Sequence, residues 1–77
     1  MNKALIEKLF ARVYLWEEMA GYASEHGGTE SIVLSYLTKR DAGMQLFSVM
    51  GLLEKYLFYR DERKRKEEVE EDEESRD

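Results

Sequence analysis

Two long segments, about residues 2–25 and 29–66, carry apolar residues at helical spacing on two sides rather than one. That pattern limits the fold more than anything else in the chain. In the first segment Leu5, Ile6, Leu9, Val13, Trp16, Ala20 and Ala23 form one stripe, enough for packing against one neighbour. Ala4, Ala11, Leu15 and Tyr22 form a second line on the opposite side, spaced 7, 4 and 7. In the second segment Leu46, Val49, Met50, Leu53, Tyr56 and Leu57 make the main stripe. Met44, Phe47, Gly51 and Phe58 make a second line, spaced 3, 4 and 7. Such lines are heptad-like seams.

The expected class is therefore all-α. Asn2 is placed to cap the first helix, and Gly27-Gly28 supply the positive φ that ends it. Thr29 and Ser31 offer caps for the next. At Lys39-Arg40-Asp41-Ala42-Gly43 the signals conflict. Charge and glycine suggest a stop, while Ile32, Val33 and Tyr36 keep the phase of the later stripe. The expectation is a helical hairpin whose second arm has a kink or short break at residues 40–43. Nothing in the pattern alternates as a strand would.

A 77-residue chain is one domain at most. Small cores usually need a disulfide, a metal or a partner subunit. There is no cysteine and one histidine, so a second copy is the expected stabiliser. Two hairpins would form a homodimeric four-helix bundle, burying the second stripes. Leu15, Tyr22, Met44, Phe47 and Phe58 are the expected anchors for self-association or for a protein partner.

Charge divides the chain. Residues 67–77 hold eight acids and one base, whereas residues 1–66 hold eleven bases and nine acids. The expected organisation is a helical domain over 1–66 and a disordered acidic tail over 67–77, with the last helix fraying near 66–70. The tail's expected role is solubility. High charge with only two amide residues, Asn2 and Gln45, fits a heat-adapted source. Charges near the start, and no run of about 18 apolar residues, point to a cytoplasmic protein without a membrane span.

The chemistry-bearing residues argue against catalysis, a metal or a cofactor. His26 reads as a solvated loop residue, and Glu17 and Glu18 as a solvated face without the Glu-x-x-His of di-metal bundles. Nucleic acid is the alternative partner. Ala23, Gly27 and Val33 meet three positions of a helix-turn-helix pattern, although His26 and Gly28 stand where it wants apolar residues. Lys39, Arg40, Arg60, Arg63 and Lys64 are the candidate phosphate contacts. The leading reading is a small non-catalytic adaptor or regulatory protein that acts through protein–protein interaction. A small helix-turn-helix-like transcriptional regulator is the second.

Overall fold

The computed structural model describes residues 2–75, with side chains through Glu68. Its helices are α1 (Lys3–Glu25), α2 (Glu30–Val49) and α3 (Leu53–Ser75), and no strand occurs among the described residues. The caps follow the local sequence. Asn2 Oδ1 accepts from the Leu5 backbone N–H at 2.8 Å, and Thr29 Oγ1 accepts from that of Ile32 at 3.3 Å. Each satisfies one donor that the first helical turn leaves free. At the end of α1, Gly27 takes φ +79° and the Gly28 N–H donates to the Ala23 carbonyl at 2.6 Å. That is the glycine-closed C-terminus that paired glycines suit.

The break expected at 40–43 is not there. α2 runs unbroken through those residues, and the chain turns at Met50-Gly51-Leu52 instead. Gly51 adopts φ +73°. The Leu52 N–H donates to the Phe47 carbonyl at 2.7 Å, and the Gly51 N–H to Ser48 at 3.2 Å. These two bonds are the Schellman pair that closes a helix. Gly43 is kept for a different reason. A Cβ built on it would lie 2.5 Å from Val13 Cγ2, so the two helices meet backbone to side chain at this point. The glycine marks a close approach rather than a stop. The expected two arms are therefore three helices.

α1 and α2 lie antiparallel along their lengths. Phe10 meets Phe47 with ring centroids 4.9 Å apart, Val13 meets Gly43, Glu17 meets Arg40 and Trp16 stacks on Tyr36. Rising numbers on one helix meet falling numbers on the other. A helix-turn-helix sends its second helix away at about 90–120° and does not pair it lengthwise. α3 crosses back alongside α1 in the same direction: Phe10 meets Tyr56, Tyr14 meets Tyr59 and Glu17 faces Lys64.

The core is aromatic. Phe10, Val13, Phe47 and Tyr56 are buried together, with Ile6, Leu9, Met44, Leu52, Leu53, Leu57 and Tyr59 packed round them. Phe47 is 1% exposed. This inverts the expected phase of the second segment. Phe47 and Met44, expected at an interface, belong to the core. Leu46 and Val49, expected in the main stripe, are exposed, Val49 at 85%. The turn at Gly51 is the cause. It uncouples residues 46–50 from residues 53–57, so a shared phase across it has no meaning. Phe47 then turns inward, where it gains edge-to-face packing on Phe10.

α3 passes through the acidic segment to Ser75, beyond the fraying point expected near residues 66–70. Residues 76 and 77, the end of the tail expected over 67–77, lie outside the described residues. An Arg65–Glu62 ion pair at 2.8 Å and a bond from the Tyr14 hydroxyl to Glu67 support the helix as it enters this segment. Among the described residues no helix is long and apolar enough to cross a membrane.

Candidate interaction surface

Of the five expected anchors, three are on the surface. Leu15, Tyr22 and Phe58 are exposed, while Met44 and Phe47 pack inside. Tyr22 is partly engaged. Its ring stacks on His26 at 3.9 Å, and His26 Nδ1 donates to the Tyr22 carbonyl at 2.8 Å. His26 is thus a helix-end residue held by its own helix.

The five candidate phosphate contacts are all engaged within the chain. Arg40 Nη1 donates to Glu17 Oε1 at 3.1 Å, and its Nη2 pairs with Asp41 at 2.8 Å. Arg60 lies 3.8 Å from the same Glu17 oxygen, and Lys64 Nζ lies 3.2 Å from Glu17 Oε2. Arg63 donates to the Tyr59 hydroxyl at 2.8 Å, sits 5.0 Å over the Tyr14 ring and reaches Glu18 at 4.0 Å. Lys39 Nζ lies 4.6 Å over the Trp16 ring.

Glu17, expected on a solvated face, is therefore the hub on which cations of α2 and α3 converge. It is half-buried between the helices because Arg40, in the middle of the inward stripe of α2, needs an anion opposite it. That need was the available signal: a lone arginine inside an apolar stripe calls for a facing acid. Glu18, also expected to be solvated, pairs with Arg63. Burial and then the neighbouring Glu67 charge raise its pKa from the ordinary glutamate value.

Two tyrosines close the α1–α3 boundary. Tyr14 is buried and its hydroxyl donates to Glu67 at 3.0 Å. Burial and then this contact raise its pKa above the ordinary tyrosine value. Tyr56 is fully buried, and its hydroxyl has no hydrogen-bond partner among the described residues. Burial first, and the Glu17 charge second, push its pKa up to about 12.

Large apolar side chains also remain outside. Leu5, Leu15, Met19 and Tyr22 on α1 are exposed, as are Ile32, Leu34, Leu46 and Val49 on α2, Met50 at its end, and Phe58 on α3. The groove bounded by Ala20, Gly21, Ser24, Val33 and Leu37 is wide open and carries only Glu17 as a charged group. Among residues with described side chains, no three His, Cys, Asp or Glu gather as a metal site would require.

No family model matches the chain, and no curated protein or solved structure matches it either. The functional reading rests on this geometry.

Proposed function

We propose that the protein is a non-catalytic helical adaptor or regulator that acts by protein–protein association. On this reading it first associates with itself: the antiparallel α1–α2 hairpins of two copies form a four-helix bundle, and apolar surface left over serves a partner protein. One observation carries the proposal, the large apolar side chains left outside on all three helices. Fully burying a Leu, Ile, Met or Phe side chain is worth ~1.5–3 kcal/mol, so this surface holds several kcal/mol of unused driving force. Contiguous apolar surface on a small soluble chain marks an association site.

The DNA-binding reading draws no support from the basic residues. Lys39, Arg40, Arg60, Arg63 and Lys64 already face anions or rings of their own chain. Light scattering at micromolar concentration tests the proposal. The expected mass is about twice the 9.1 kDa of one chain. A folded species at the single-chain mass across that range refutes self-association.

A further inference from the structure

Exposed and half-buried residues, most of them apolar, line up along one side of α1 and one side of α2. On α1, Leu5, Leu9, Arg12, Trp16, Met19 and Ala23 recur at spacings of 4, 3, 4, 3 and 4. On α2, Ile32, Ser35, Lys39, Ala42, Leu46 and Val49 recur at 3, 4, 3, 4 and 3. Both keep a/d spacing, the pattern that places one helix against another, with Arg12 on α1 and Ser35 and Lys39 on α2 as their polar members. Apart from Leu9, which packs at the edge of the core, neither series is used by the core of a single copy. At about 100° per residue, the α1 series lies about half a turn from Phe10, Tyr14 and Glu17, which face α3. The two series adjoin. Lys39, from the middle of the α2 series, lays its ammonium over Trp16 of the α1 series, whose ring stacks on Tyr36 at 5.8 Å. Together they form one broad face of the α1–α2 layer, with α3 on the other.

We infer that this face docks on the same face of a second copy, giving a bundle of two α1–α2 layers with α3 outermost in each. The inference rests on the self-association reading above and names its surface, which is not the Leu15, Tyr22 and Phe58 seam. Three observations favour a second copy as the occupant. The α2 series is self-complementary in an antiparallel pairing about its midpoint: Ile32 meets Val49, apolar on apolar, while Ser35 meets Leu46 and Lys39 meets Ala42, small against large. The series run about 27 Å along two helices whose axes lie about 8–10 Å apart. That footprint is on the scale of the ~800 Å² per partner of a standard interface. Finally, Arg12 and Lys39 are the only charged residues in the two series. Lys39 is folded onto Trp16, and Arg12 can extend its head to the rim as long basic side chains do.

The pairing has a salt signature. It brings four like charges near one another with no acid among them, so raising salt from about 0.05 to about 0.5 M tightens the dimer by screening them. An acidic helix from another protein would be released by salt instead.

The test compares the native chain, the double variant Leu46→Glu/Val49→Glu and the double variant Leu15→Glu/Tyr22→Glu by light scattering, each at low and high salt. All four substituted positions are exposed, so helix content by circular dichroism should be unchanged. The expected result is a native dimer that tightens with salt, a monomeric 46/49 variant with its Kd raised at least about 100-fold, and an intact 15/22 dimer. A dimer that survives in the 46/49 variant overturns the assigned face and leaves self-association standing. A native chain that stays monomeric overturns both. A readout independent of the glutamates uses the cysteine-free background: the thiol of Ala42→Cys should alkylate several-fold more slowly at dimer than at monomer concentrations. An unchanged rate overturns the face.

Discussion

Replacing Gly43 by alanine should destabilise the protein, although alanine is the better helix former. In an open helical position Gly→Ala gains about 1 kcal/mol. Gly21 is such a position, since nothing lies within 4 Å of a Cβ built there. Gly43 is not, because its Cβ would stand 2.5 Å from Val13 Cγ2. Val13 is buried beside Phe10 and Phe47, so it cannot swing into solvent. Forcing one extra carbon into such a core costs about 1–3 kcal/mol, which cancels or exceeds the helical gain. Gly21→Ala should thus stabilise by about 1 kcal/mol, and Gly43→Ala should destabilise by up to about 2 kcal/mol. Urea unfolding followed by helical circular dichroism, at one fixed protein concentration, reads both. For a domain of this size 1 kcal/mol shifts the melting point by about 4–8 °C, so the two variants move it apart in opposite directions. A third variant isolates the contact. Val13→Ala costs about 1.6 kcal/mol through its two lost carbons. In that background the Gly43→Ala penalty should disappear and its helical gain return. If Gly43→Ala stabilises the native chain as much as Gly21→Ala does, the close approach is wrong. So is the α1–α2 register built on it.

Two further outcomes follow from the buried polar groups. Glu17→Gln removes the anion facing Arg40, Arg60 and Lys64, and should lower stability by about 1–3 kcal/mol in urea titration; an unchanged midpoint would mean that these cations are solvated without it. Tyr56→Phe should be neutral or stabilising by about 1 kcal/mol at pH 7, because the hydroxyl it removes is buried and unpaired. In the native chain Tyr56 keeps its proton to about pH 12, whereas the unfolded chain loses it near pH 10. The folded state then binds more protons, so stability falls as pH rises between these values. The variant should show a shallower alkaline loss, the remainder coming from Tyr14. Equal slopes would place the Tyr56 hydroxyl in water.

Local chemistry was legible in the sequence, and the phase of the second segment was not. Asn2, Thr29 and Gly27-Gly28 act within five residues of themselves, so their roles follow from neighbours alone. Gly51 does the same work as Gly27, but it sits between Met50 and Leu52 at apolar spacing from Phe47 and Phe58. There it looks like part of a seam. Once the turn is placed at 50–52, residues 44 and 47 exchange sides with 46 and 49. Gly43 misled in the opposite sense, because a glycine that allows close packing and one that ends a helix look alike without the facing Val13. Among the candidate site residues, Leu15, Tyr22 and Phe58 lie outside as expected. The fate of Arg40, Arg60 and Lys64 was hidden because their partner, Glu17, is 23 to 47 residues away in sequence.

The attachment of α3 changes character along its length. Near its start Tyr56 and Tyr59 lie against the Phe10 ring, a contact indifferent to ions. Further along, Lys64 and Arg63 hold Glu17 and Glu18, and Glu67 holds the Tyr14 hydroxyl. At physiological ionic strength charges are screened over about 8 Å, and more salt shortens that reach further. The helix is therefore riveted at one end and held by charge at the other. Raising ionic strength should loosen the charged stretch of this contact first and leave the aromatic stretch unchanged.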